Sequence, residues 1–123
     1  MTLNEYQQQA MTTCLPNAEN FTYMFLNLVG EVGEFASKVA KTLRKGQITM
    51  RTDADLHYHI SLSNEEIEHY REELMKEAGD ILWQLSGLCA VNGWWLEDVA
   101  QQNLDKLADR KSRQVIDGSG DNR

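Results

Sequence analysis

Proline occurs once in the 123 residues, at Pro16, and glycine only eight times. Residues that make turns are scarce, which argues against a many-stranded barrel or sandwich and leaves room for long helices. Positive charge is in deficit as well. Twelve Lys and Arg face 19 Asp and Glu, for a net charge of −7. Non-specific binding to a nucleic-acid backbone needs a basic surface, so no nucleic-acid partner is expected. No apolar run approaches the ~20 residues of a membrane span, so no membrane partner is expected either. The opening Met1-Thr2-Leu3-Asn4-Glu5-Tyr6 has no basic stretch followed by an apolar one and does not read as a signal peptide. A cytoplasmic setting is expected, with the two cysteines, Cys14 and Cys89, reduced rather than bridged.

Hydrophobic residues make up 41% of the chain and charged residues 25%, a globular rather than a disordered profile. The length suits a single domain over residues 1–123, with a Gly-rich tail at 116–123. Hydrophobic periodicity divides it into four helices. The first is expected over 3–13, opened by the capping box Thr2-Leu3-Asn4-Glu5 and closed by Leu15-Pro16-Asn17. The second is expected over 20–45, where Leu28, Val32, Phe35, Val39 and Leu43 mark one face and Gly46 is a natural stop. Helical period is lost over 46–62. Residues 48–50 and 56–60 are mildly strand-like there, which predicts a small hairpin or flap. A second capping box, Ser63-Asn64-Glu65-Glu66, starts the third helix, which should end near Asn92-Gly93. The fourth is expected over 96–113 with Leu96, Ala100, Leu104 and Leu107 inward. The fold class is therefore all-α, a four-helix antiparallel bundle.

The charges beside the apolar stripes carry the chemistry. Asn27, Glu31, Glu34 and Lys38 form a stripe on the second helix, with Glu31 roughly 80° from the apolar centre. Glu73, Glu77, Asp80 and Gln84 do the same on the third, with Glu77 roughly 55° from the centre. Two acid pairs at i,i+3 result, Glu31-Val32-Gly33-Glu34 and Glu77-Ala78-Gly79-Asp80. Side chains three apart lie about 5–6 Å from one another, so like charges repel there unless a cation stands between them. All-oxygen ligands favour a hard ion, Mg²⁺ or alternatively Mn²⁺. A glycine inside each pair costs the helix about 1 kcal/mol against alanine, which close helix approach or room for a ligand would offset. On the fourth helix Asn103, Lys106 and Arg110 border the apolar face, suited either to phosphate oxygens or to salt bridges with the acid stripes.

These stretches resemble the MazG-like all-α nucleoside triphosphate pyrophosphohydrolases. Leu28-Val29-Gly30-Glu31-Val32-Gly33-Glu34 and Lys76-Glu77-Ala78-Gly79-Asp80-Ile81-Leu82-Trp83 are similar to that family's helix signatures. The run from Asn103 to Arg110 and the ending Gly118-Ser119-Gly120-Asp121-Asn122-Arg123 resemble a subgroup seen in bacteria and their phages. The 46–62 segment lengthens the gap between the acid pairs beyond what is common in the family. The resemblance implies hydrolysis of an NTP or dNTP to the monophosphate and pyrophosphate with Mg²⁺. It implies Glu31, Glu34, Glu77 and Asp80 as metal ligands, with Glu34 and Glu77 in the catalytic role. Substrate binding would fall to Lys38, Trp83, Asn103, Lys106 and Arg110. It also implies a homodimer or homotetramer with sites formed between subunits.

Other classes fit less of the chain. A carboxylate-bridged di-iron bundle needs Glu-x-x-His twice, and Glu66-Ile67-Glu68-His69 supplies one. His57 and His59 have strand-like i,i+2 spacing suited to a metal, or are exposed loop residues. A non-catalytic helical interaction module, with acidic stripes facing solvent or a partner, is the alternative from outside enzymology. In either case the adjacent Trp94 and Trp95 suit a core or subunit contact.

Overall fold

The computed structural model describes residues 1–49 and 56–123. Both capping boxes form as expected. Thr2 Oγ1 accepts the Glu5 N–H at the start of α1 (Leu3–Met11), and Ser63 Oγ accepts that of Glu66 at the start of α3 (Asn64–Val91). In both, the glutamate carboxylate returns to the cap N–H. Between α1 and the next helix, Pro16–Ala18 forms a short 3₁₀ turn that the period of the sequence does not signal. Asn20 caps α2 (Phe21–Arg44) through the Tyr23 N–H.

Two helix ends close with a left-handed glycine. Past α2, Gly46 (φ 70°) lets its own N–H reach Leu43 O and the Gln47 N–H reach Thr42 O. Past α3, Gly93 (φ 73°) repeats the arrangement with Ala90 O and Cys89 O. These paired bonds satisfy carbonyls that a helix end otherwise leaves free. After Gly46 the chain forms the expected hairpin, reduced to β1 (Ile48–Thr49) and β2 (His57–Tyr58). The strands are antiparallel with Ile48 opposite Tyr58. The part of the expected hairpin over 50–55 lies outside the described residues. Tyr58 meets Tyr70 of α3 edge to face, with centroids 6.2 Å apart, which docks the hairpin on that helix.

The long pair α2 and α3 forms the body of the molecule, and α1 lies across α3 and α4 (Leu96–Ser112). Met24, Ile48, Cys89 and Leu96 are buried. Both cysteines are free thiols, as expected. Helix α4 has no cap of its own, because Trp95 occupies the N-cap position. Helix α1 supplies what is missing. Gln7 Oε1 accepts the Leu96 N–H at 2.8 Å and Asn4 Oδ1 accepts that of Glu97 at 3.1 Å. The Gln7 amide also donates to Trp94 O at 2.9 Å and to Ser86 O at 3.4 Å, so one buried side chain ties α1 to α3 and α4.

One expectation is corrected here. Leu104 and Leu107 do not face a core within the chain: they are 60% and 40% exposed. Between Leu96 and Arg110 every residue of α4 except Ala100 is exposed, so the apolar side of those turns lies open. Val32, Leu26 and Val29 on α2 are likewise exposed.

Candidate metal and nucleotide site

Because α2 and α3 pair along their length, the two acidic stripes meet. One carboxylate oxygen from each of Glu31, Glu34 and Glu77 lies within 4.8 Å of the other two. Among the described residues this is the group of acidic, His or Cys side chains placed to hold a metal ion. Asp80, one turn further along α3, stands beside the trio rather than within it. Its charge raises the pKa of Glu31 and, after burial, that of the Tyr6 phenol on α1. Tyr6 is thus a neighbour of the site that α1 contributes, and no motif in the first helix points to it.

Crowding of like charge is visible at Glu31. Burial raises its carboxyl pKa first, and the charges of Glu34, Asp80 and Glu77 raise it further; a hydrogen bond from Asn27 Nδ2 at 3.2 Å opposes them. A folded-state pKa above the unfolded one means that the unfolded chain ionises first as pH rises. Stability is therefore lost as pH climbs from the ordinary carboxylate range through the raised value, and stays lost at neutral pH. The donor set is all oxygen and negatively charged, and it repels itself. Those features fit a hard divalent cation.

The only described cation on the trio is Lys38. Its ammonium donates to Glu77 Oε1 at 2.7 Å and to Glu73 Oε2 at 3.4 Å, and the bond to Glu77 raises its pKa. Glu73 is held below its ordinary range mainly by Lys76 at 2.6 Å. Glu77 retains 16% side-chain exposure, in keeping with the partly desolvated position its helical angle predicts. Close helix approach does not account for the glycines within the acid pairs. A Cβ built at Gly33 or Gly79 meets nothing within 4 Å.

The expected substrate-binding residues are distributed differently. Lys38 borders the trio, as described. Trp83 turns towards α1, and its indole N–H is committed to Ala10 O at 3.1 Å and Thr13 Oγ1 at 3.0 Å. Arg110 and Lys106 meet the tail. Arg110, 5% exposed, donates to Asp121 Oδ1 at 2.9 Å, and Lys106 approaches the same oxygen at 3.5 Å. Together they hold the Asp121 carboxyl below its usual range, the Arg110 hydrogen bond foremost. Arg123 fastens the turn by donating to the carbonyls of Val115, Ile116 and Gly120. Asn103 is exposed, with no hydrogen-bond partner among the described residues. The His59 ring faces Ser61, and His57 Nε2 is buried without a partner among the described residues. Trp94 and Trp95 are about half exposed and line a recess against α1.

Comparison with known proteins places this geometry in context. The family described as the MazG nucleotide pyrophosphohydrolase domain matches residues 19–115, which span α2, the hairpin, α3 and α4 and leave α1 outside. The Gene 37 protein of Mycobacterium phage L5 is 40% identical over 107 residues, covering 85% of this chain and 78% of that protein. No solved structure matches the chain.

Proposed function

The chain belongs to the MazG nucleotide pyrophosphohydrolase family, and from that premise we propose that it hydrolyses a nucleoside triphosphate, NTP or dNTP, to the monophosphate and pyrophosphate with Mg²⁺. The observation that carries this reading is the convergence of Glu31, Glu34 and Glu77 from two helices within 4.8 Å, with Asp80 one turn away. Mn²⁺ has the same preference for oxygen ligands and is an acceptable substitute. When bound, such an ion neutralises triphosphate charge and lowers the pKa of a bound water.

The chain's own groups divide the remaining work. Glu31, Glu34, Glu77 and Asp80 would hold the cation. Glu34, exposed and without a partner of its own among the described residues, orients the attacking water and accepts its proton. Lys38 now bonds Glu77 where a cation would sit. With Glu77 engaged by a cation, Lys38 would keep Glu73 and could turn its remaining donors to phosphate. Lys106 and Arg110 join substrate binding by exchanging the Asp121 carboxylate for a phosphate oxygen, with Asn103 beside them. Trp83, its N–H already bonded, offers a ring face. The exposed apolar side chains Leu26, Val29 and Val32 of α2 and Leu104 and Leu107 of α4 support a homodimer or homotetramer. No described helix is long and apolar enough to cross a membrane, and the acidic, thiol-containing chain suits the cytoplasm.

Pyrophosphate release from a panel of NTPs and dNTPs, run with Mg²⁺, Mn²⁺ or EDTA, tests the assignment. Release with either ion and none in EDTA is expected. Absence of release with every nucleotide and ion would favour the interaction module instead. A second test needs no substrate. At neutral pH in EDTA, Glu31→Gln removes a repelled charge and should raise Tm by about 1–3 °C. Saturating Mg²⁺ at ~100 times its Kd should stabilise the wild type by about 2.7 kcal/mol and the variant by much less. A variant less stable than wild type in EDTA contradicts the charge crowding described above.

A further inference from the structure

The last turns of α2 carry two lysines that the acidic site does not use. A cavity of about 360 Å³ lies between the end of α2, the hairpin and the first half of α3. Lys38, Lys41 and Lys45 line one wall, and their spacing of three and four keeps them on one helix face. The cavity is continuous with the acidic site. Lys38 and Lys41 also line the recess over Glu34 and Glu77, and Lys38 bonds Glu77 directly.

The charges inside the cavity do not balance. Three lysines face two carboxylates there: Glu73 bonds Lys38 and Lys76, and Glu66 accepts the N–H of Ser63 while keeping its charge. Lys41 and Lys45 are exposed, and their ammonium groups have no hydrogen-bond or ion-pair partner among the described residues. Tyr70 lines the same cavity, and its hydroxyl is fully buried without a hydrogen-bond partner among the described residues. A buried O–H donor without an acceptor is uncommon and points to a missing group. Two ammonium groups and one phenol want a ligand with several anionic oxygens, which a neutral nucleobase does not offer.

We infer that this cavity receives the leaving pyrophosphate, held by Lys41, Lys45 and the Tyr70 hydroxyl. The inference rests on the acidic trio being the triphosphate site. Hydrolysis adds one water across the α–β phosphoanhydride. That P–O bond breaks, the water oxygen ends on one phosphorus and the bridging oxygen stays on the other, and the released proton passes to a carboxylate of the trio. The cleavage frees negative charge on the diphosphate, and the two lysines stand one and two turns beyond Lys38 to meet it.

Calorimetric binding of inorganic pyrophosphate in the presence of Mg²⁺, alongside the nucleoside monophosphate product, tests this on the intact protein. Lys41→Ala with Lys45→Ala should weaken pyrophosphate about a hundredfold, about tenfold per charge-assisted bond, and the monophosphate less than about threefold. Tyr70→Phe, which removes only the oxygen, should weaken pyrophosphate about tenfold. A wild type that does not bind pyrophosphate, or a double variant that binds it as tightly as the wild type, overturns the inference. Equal loss of both products overturns it too, since that is general electrostatics and not a subsite. If the wild type turns over no nucleotide yet binds pyrophosphate through these lysines, the cavity stands and the triphosphate reading falls.

Discussion

Replacement of Glu77 by alanine is expected to reduce nucleotide turnover by about a thousandfold, equivalent to about 4 kcal/mol of lost charge stabilisation. Glu31 and Glu34 come from a single turn of α2, and Glu77 is the ligand that closes the trio from α3. Without it α3 would offer the ion only Asp80, which stands beside the trio, opposite the two carboxylates of α2. The fold should survive. Lys38 retains Glu73 at 3.4 Å, and α2 and α3 stay paired along their length. Far-UV circular dichroism should therefore match the wild type while kcat collapses, and the rise of Tm with Mg²⁺ should vanish in parallel. A folded variant that keeps more than about a tenth of wild-type kcat would move the ion away from Glu77.

The second large effect is on stability and lies away from the acidic site. Gln7→Ala should cost about 3 kcal/mol in urea unfolding. The side chain is buried, and it satisfies the Leu96 N–H and the carbonyls of Trp94 and Ser86 at once. Alanine leaves those groups without their side-chain partners. Gln8→Ala, one residue along and exposed, should change stability by less than about 0.5 kcal/mol. Similar values for the two variants would show that α4 does not depend on α1 for its cap.

Local signals foretold the local structure. Both capping boxes, the stop at Gly46 and the hairpin after it are encoded within a few residues, so periodicity and turn chemistry sufficed to find them. The acidic trio was legible for the same reason: two i,i+3 pairs at the margin of two apolar stripes meet once those stripes pack. Relations between distant segments were not legible. Nothing in the first helix marks Gln7 as the cap of α4, because a glutamine among glutamines has the same local character whether it faces water or a helix end. Lys106 and Arg110 look free in sequence, and only the folded tail brings Asp121 onto them. Leu104 and Leu107 follow a helical period without facing a core, since periodicity reports an apolar side and not what covers it. Lys41 and Lys45 suit a helix C-terminus so well that their second role, in a cavity closed by the hairpin and Tyr70, leaves no separate trace in the pattern.

The dependence of α4 on Asn4 and Gln7 also sets an order in time. The N–H groups of Leu96 and Glu97 and the side chains that accept them are separated by 89 and 93 residues. During synthesis at ~5–20 residues per second, α1 leaves the ribosome about 5–20 s before its acceptors find their donors. In that interval the amphipathic first helix has its two caps but not its groove, and α2 and α3 can pair without it. Capping of α4 by α1 is therefore a closing event of folding, whereas α1 can dock on α3 earlier, through the Trp83 indole on Ala10 and Thr13.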